Sequence, residues 1–338
     1  MKFFYLFLLL LAGCSNGQVF QQQRYIFGTI VEVSVYGRDQ AKAEEAIDSV
    51  MKRFGELHRK LHAWQPSEVT SLNDAFAAGR RMKVDPELSF LIMESRKISD
   101  RSAGLFDPAI GNLIALWGFQ NDEFKPVKPD PARIAKLVAE NPKMDDILLE
   151  NGVAWSRNPA VKLDFGGIAK GYALDVAAKI LKDAGVKDAL VNIGGNVLAI
   201  GSHGDRPWKV GVKDPRGSGA IGEIDLHDGE AVGTSGDYQR YFMLNGKRYC
   251  HIIDPGTGYP VQGVRAVTVL IPKGENAGLL SDADSKPLFV AGTSGWREAA
   301  RKIGLDDALL VDDRGKIHVT RGMSGRIRFE KGFSAVVQ

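Results

Sequence analysis

Four short polar clusters carry the side chains of this sequence that are able to do chemistry. The first couples Asp164 to Lys170 across Phe165-Gly166-Gly167-Ile168-Ala169. An apolar run from Val161 to Phe165 ends at the double glycine. Ile168, Tyr172, Val176, Ile180 and Leu181 then follow at helical spacing, with Gly185 at the far end. The pattern predicts a strand, a tight turn and a helix N-terminus, whose free N–H groups attract anions. Lys170 would stand in the first helical turn, where the dipole favours Asp or Glu. Either it extends along its own stem into solvent, or it shares a bound phosphate with the turn.

The second cluster, Thr234-Ser235-Gly236-Asp237-Tyr238, is equally explained as an ordinary loop. The third runs from His251 through Ile253 and Asp254 to Pro260. Asp254 opens a turn dense in Gly and Pro, which an Asx-type cap explains on local chemistry. His251 closes a predicted strand and by itself reads as a structural hydrogen-bonding imidazole before a catalyst. The fourth is Ser281-Asp282-Ala283-Asp284-Ser285-Lys286. Asp282 and Asp284 are hard oxygen donors of the kind magnesium prefers. Asp282 and Lys286 are four residues apart, so an i,i+4 ion pair explains them equally well. There is no Gly-x-Ser-x-Gly elbow, no zinc spacing, no Walker A loop and no Gly-x-Gly-x-x-Gly leading from a strand into a helix, which argues against a hydrolase triad, a zinc site and a Rossmann unit.

The elements that must position these clusters are legible in part. Tyr25 to Tyr36 reads as one strand, with Val31, Val33 and Val35 on one face. Ala43 to Leu61 has the spacing of a long amphipathic helix ending near Trp64. Ser67 to Asn73 reads as a short turn or helix. Asp85-Pro86 and Asp130-Pro131 are N-caps followed by Pro at the first helical position. Leu105-Phe106-Asp107-Pro108 is a loop entering a helix over 109–119. Residues 146–165 read as two strands around Asn151-Gly152 and Asn158-Pro159. Further strands are expected over 188–193, 208–212 and 264–271, with hairpins at Asn245-Gly246 and Arg314-Gly315. Residues 277–290 read as a helix interrupted by Pro287. Strands and helices mix without a regular βαβ period, so the expected class is α+β.

A net charge of +3 over 338 residues, with no basic run interleaved with aromatics, gives no nucleic-acid footprint. Lys2 and the apolar run Phe3 to Ala12 have the form of an export signal, too short to span a bilayer as a mature helix. Leu11-Ala12-Gly13-Cys14 resembles a bacterial lipobox; a plain cleaved signal with an incidental Cys is the alternative. The expected layout is a lipoprotein signal peptide over 1–13, a tether over 14–24 starting at a lipidated Cys14, and one domain over 25–338. Cys250, the other cysteine, is expected to be a small buried residue.

Together these motifs resemble the ApbE family of FAD:protein FMN transferases. The resemblance runs from about Phe27 to about Gly292 and rests on eight segments in order. They are Phe27-Gly28-Thr29, where the family usually has Met-Gly-Thr; Ser67 to Asn73; Gly104 to Pro108; the Asp164–Lys170 stretch; Asn192 to Asn196; Thr234 to Asp237; His251 to Pro255; and the Asp282 segment. The resemblance implies a two-lobed α+β fold with FAD in the inter-lobe cleft. It places Phe27, Trp64, Leu105, Phe106, Asp107, Asp164, Lys170 and Ile253 along the FAD. It implies Mg2+ held by the Gly167 carbonyl and the Asp282 carboxylate, with Ser285 and Lys286 at the same site. His251 would assist the hydroxyl proton. The family usually has Thr where Lys286 stands, and an ammonium cannot coordinate a cation. Lys286 would turn outward, replace the cation, or mark the loss of metal-dependent chemistry.

The implied reaction moves the FMN part of FAD to a Thr or Ser hydroxyl of an exported acceptor protein, and AMP leaves. The same site would serve an FAD pyrophosphatase, or a non-catalytic FAD-binding lipoprotein if Lys286 removes the metal. The expected location is the bacterial cell envelope, lipid-anchored at the periplasmic face of the inner rather than the outer membrane. The expected partners are FAD, the acceptor protein and the membrane, with no nucleic acid.

Overall fold

The structure is a computed structural model and describes residues 17–338. Cys14 and the export signal lie outside the described residues. Among the described residues, no helix is long and apolar enough to cross a membrane.

A nine-stranded sheet organises the molecule. Its spatial order is Gln18–Ile26, Thr29–Gly37, Asp188–Ile193, Asn196–Ile200, Ala231–Gly236, Val264–Ile271, Ala308–Asp312, Ile317–Val319 and Ala335–Val337. Every pairing is antiparallel except the last. Val31, Val33 and Val35 alternate inward as period two requires, and they are buried. Three helices cover that face: Gln40–Lys60, Ala169–Asp183 and Ala277–Ile303. The opposite face carries a second core, formed with a small sheet of Trp208–Lys213, Ala220–Leu226 and Ile327–Phe329. The other lobe comprises the helices Glu68–Ala77, Pro86–Arg101, Gly111–Leu116 and Pro131–Ala139, with the short sheet Met82–Lys83, Val153–Ser156 and Ile147–Glu150. The fold is α+β, as expected.

The local devices behave as their chemistry predicts. Asp85 and Asp130 accept backbone N–H bonds ahead of Pro at the start of each helix. Ser67 and Thr70 form a reciprocal capping box. Asn151-Gly152 and Asn245-Gly246 turn hairpins. Cys250 is buried and its thiol is pushed up to about 12 by desolvation, which makes it inert.

Three expectations need correction. The described part of the expected tether, from Gln18 on, forms a hairpin with the strand expected over 25–36: Gln18–Ile26 pairs along its whole length with Thr29–Gly37. Its Gln-rich first strand is the polar edge of the large sheet, so low hydrophobicity there marks an edge and not a linker. The turn falls at Phe27 and Gly28, both at positive φ. Second, residues 161–165 are not a strand. A single isolated bridge, Ile110 to Lys162, stands there, followed by a 3₁₀ turn at Phe165–Gly167. Third, Pro287 does not interrupt its helix. The break comes at Gly292, whose backbone is at φ 68° and ψ −177°.

Candidate functional site

The site is built where two helices touch backbone to backbone. A Cβ on Gly171 would lie 2.4 Å from the carbonyl oxygen of Gly278 and 2.7 Å from Asp282 Cβ. Only glycine permits that approach. Asp175 fixes the register of the pair by accepting from the N–H groups of Gly278 at 2.8 Å and Leu279 at 2.7 Å. It thereby satisfies the orphan donors at the start of Ala277–Ile303. Desolvation raises its carboxyl to about 6, although these bonds pull the other way.

One turn further along, Asp282 is fully buried and points at the N-terminal end of Ala169–Asp183. Its Oδ2 accepts from the Gly171 N–H at 3.1 Å. Its Oδ1 receives the ammonium of Lys170 at 3.3 Å and also that of Lys286. Lys170 Nζ donates to the Gly166 carbonyl at 3.2 Å, and Lys286 Nζ to the Asp282 carbonyl at 2.6 Å. Burial by itself would raise the Asp282 carboxyl. Lys170 and then Lys286 outweigh it and hold the group below the usual carboxylate range. Lys170 is therefore not a solvated side chain: its oddly placed charge faces a buried carboxylate. The engaged carbonyl of the double-glycine turn is that of Gly166.

This donor set does not fit Mg2+ between Gly167 and Asp282. The end of Lys286 fills that space, its Cε 3.6 Å from where a Cβ on Gly167 would stand. Each ammonium about 4 Å from a divalent ion repels it by about 8 kcal/mol at an effective dielectric near 20. One carboxylate cannot offset two such charges. Ser285 turns to the sheet, its Oγ 2.7 Å from Ser235 Oγ. Asp284 is buried against Arg101. Among the described residues, no group of three His, Cys, Asp or Glu converges as a metal site. Of the expected metal residues, the structure brings Gly167, Asp282 and Lys286 together and directs Ser285 away.

The remaining expected residues lie around this cluster. Asp164 is buried, and its carboxylate accepts from Gly166 N at 2.9 Å and Gln120 Nε2 at 3.1 Å, which shapes the turn. Asn73 closes the same segment from the other lobe through paired bonds with Leu163 N–H at 2.7 Å and carbonyl at 2.9 Å. Phe106 packs beside Gly167, 3.2 Å from the site of a Cβ there. Leu105 is half-buried next to it. Asp107 faces away from the cluster: its carboxylate accepts from Ser99 Oγ, Ala109 N and Met144 N. Burial pushes it up to about 6, so its place in the structure is that of a loop anchor. Ile253 is buried in the satellite core with Ile110, Trp117 and Phe119.

Phe27 holds a left-handed backbone at φ 58°, a costly conformation for an aromatic residue, and packs its ring on Phe54 and His58. Trp64 stacks edge-on with His62 at 4.5 Å. The Arg240 guanidinium lies 5.8 Å from the Trp64 ring and 5.9 Å from the Phe124 ring. Arg240 lies two residues beyond the second cluster and belongs to no motif; the chain folds it back onto the Phe27 turn, against Gly28. Its carbonyl also accepts the backbone N–H of His251 at 3.1 Å and lies 3.2 Å from His251 Nδ1. A carbonyl only accepts, so Nδ1 carries the proton and Nε2 keeps its lone pair. Burial first, then the charges of Arg240 and Lys170, push this imidazole down to about 3, so it is neutral at physiological pH.

The second and third clusters hold the scaffold. Thr234 Oγ1 meets Thr268 Oγ1 at 2.9 Å, and Asp237 takes a bidentate Arg216 at 2.7 and 2.6 Å. Asp254 makes the Asx turn, accepting from Gly256 N at 2.8 Å and Thr257 Oγ1 at 3.0 Å.

Known proteins resemble this chain in sequence and in fold. A Rhodobacter capsulatus FAD:protein FMN transferase is 43% identical over 314 residues, which cover 93% of this chain but only 59% of that protein. A Treponema pallidum protein of the same name is 29% identical over 94% of this chain and 91% of its own length. The crystal structure of the ApbE protein of Thermotoga maritima superposes with a TM-score of 0.84 at 32% identity, covering 92% of this chain and all of that one. The apo flavinyl transferase ApbE of Pseudomonas stutzeri gives 0.79 at 27% identity, covering 94% of this chain and 98% of the other. Residues 27–309 match the ApbE family, and the chain belongs to that family.

Proposed function

We propose that this protein is an FAD:protein FMN transferase, which attaches FMN covalently to a Thr or Ser hydroxyl of an acceptor protein and releases AMP. The observation that carries the reading is the pair of ammonium groups, Lys170 and Lys286, gathered on buried Asp282 at the start of Ala169–Asp183. A helix N-terminus with two cations suits the pyrophosphate of FAD. The similar proteins named for this activity support the choice of substrate and reaction.

In the reaction the acceptor hydroxyl oxygen attacks the FMN phosphorus. A new P–O bond forms, the P–O bond to the bridging oxygen breaks, and the bridge leaves with AMP. Lys170 and Lys286 stabilise the charge on the phosphoryl oxygens and the leaving phosphate. Asp282 holds both ammonium groups in place. His251 is the candidate acceptor for the hydroxyl proton through Nε2. Phosphate binding lifts its basicity by offsetting the cations that now depress it. Trp64, Phe27 and Arg240 offer aromatic and cationic surface to the flavin or adenine rings. Magnesium, expected by resemblance, is not used in this scheme.

The test combines the protein, FAD and several candidate acceptor domains. In-gel flavin fluorescence and peptide mass analysis should find FMN on Thr or Ser, and Asp282→Ala should abolish it. FAD binding with no adduct on any acceptor would reduce the protein to a flavin binder. AMP release without acceptor would make it a pyrophosphatase. We also place the protein at the cell envelope, anchored through lipidated Cys14 with its domain in the periplasm. Cys14→Ala should move it from the membrane to the soluble fraction.

A further inference from the structure

Lys286 and Lys170 each have three N–H donors to place. Lys286 spends two, on Asp282 Oδ1 and on the Asp282 carbonyl. Lys170 also spends two, on Asp282 Oδ1 and the Gly166 carbonyl. One donor remains on each. Among the described residues Asp282 is the only carboxylate these ammonium groups contact, so the cluster stays one unit positive. Asp284 is taken by Arg101, and the Ser285 hydroxyl lies between Ser235 and the Asp282 carbonyl. The position between Gly167 and Asp282 is therefore occupied by a tethered monovalent cation, which stands where a free divalent one would have to sit.

We propose that Lys286 is this chain's built-in replacement for a divalent cation. Its ammonium and that of Lys170 together receive the pyrophosphate oxygens of FAD, and Asp282 serves as their anchor and not as a metal ligand. The inference rests on the FAD reading of this site and specifies which groups neutralise the substrate. A pyrophosphate carries charge opposite to the cluster and accepts the two free donors directly. A hydrated magnesium ion would have to expel Lys286 from a carboxylate that it already shares with Lys170.

The experiment uses the purified full chain after chelator treatment. FAD binding is followed by quenching of flavin fluorescence, in EDTA and in millimolar Mg2+. Metal binding is followed separately by the electron paramagnetic resonance signal of free Mn2+, with and without FAD. The wild type should bind FAD with the same affinity in EDTA and in Mg2+ and should take up no equivalent of Mn2+. Lys286→Thr should lose about tenfold or more in EDTA, as expected for a lost charge-assisted hydrogen bond, and recover in Mg2+. Lys286→Met should lose affinity in both buffers. Wild-type protein that binds an equivalent of Mn2+ and releases FAD in EDTA overturns the proposal and leaves the FAD reading standing. Wild-type protein that binds FAD in neither buffer overturns both. The wild-type arms decide the question even if a variant fails to fold.

Discussion

Substituting Gly171 by alanine sets a methyl carbon against the tightest helix contact at the site. The new Cβ would stand 2.4 Å from the Gly278 carbonyl oxygen, 2.7 Å from Asp282 Cβ and 2.8 Å from Leu279 Cα. Two of these partners are backbone, so no rotamer change relieves the clash. The contact falls about 1 Å short of van der Waals distance, and the two helices must part by that amount. Overpacking of this kind costs about 1–3 kcal/mol. Separation also weakens the Gly171 N–H bond to the Asp282 carboxylate, a charged acceptor worth about 1.5–3 kcal/mol. Alanine returns about 1 kcal/mol in helix propensity. The net loss is about 2–4 kcal/mol, and a 1 Å shift of Asp282 lowers flavin transfer by about 100-fold. Urea titration gives the first quantity, as a lower midpoint at unchanged slope, and the flavinylation assay gives the second. Gly37→Ala, which meets nothing within 4 Å, is the control and should leave both near wild type. A Gly171→Ala protein as stable and as active as wild type would refute the claim that this contact sets the site.

Asp107 and Asp175 both have folded carboxyls near 6 against an ordinary value of 3.8. Between those limits the folded protein binds protons that the unfolded chain does not, so stability rises as pH falls through 6. Urea titrations should show about 1 kcal/mol gained per group from pH 7 to pH 5, and Asp175→Asn should flatten the slope. Below about pH 4 paired carboxylates such as Glu87, which are held low in the fold, reverse the trend; a flat profile from pH 7 to 5 contradicts the assignment. Asn73→Leu orphans the Leu163 N–H and carbonyl inside the core and should cost about 2–4 kcal/mol by denaturant titration. Lys170→Met should weaken FAD binding about tenfold or more while leaving the unfolding free energy from urea titration within about 1 kcal/mol of wild type; unchanged binding would remove Lys170 from the pyrophosphate site.

Whatever depends on local chemistry was legible from the residues alone. Capping carboxylates before Pro, hairpin Asn-Gly pairs, the valine alternation of the second strand and the helix after the double glycine all follow from backbone rules within a few positions. The chain order of polar clusters, matched to a known family, pointed to the fold and to Asp164, Lys170 and Asp282 as one site. Tertiary structure decided the rest, because it depends on which surfaces meet. The Gln-rich start is a strand because it has a partner edge to pair with, which composition does not show. Asp284 and Ser285 differ from Asp282 by two and three positions, and only the helix rotation set by the Gly171–Gly278 contact sends them to Arg101 and Ser235 instead of the cleft. Arg240 reaches the Trp64 ring through a loop that no periodicity describes. The same helix contact settles the ambiguity of Asp282 and Lys286. Their i,i+4 ion pair is real, and it becomes part of a site because Lys170, from a helix 111 residues earlier at Gly171, arrives at the same carboxylate.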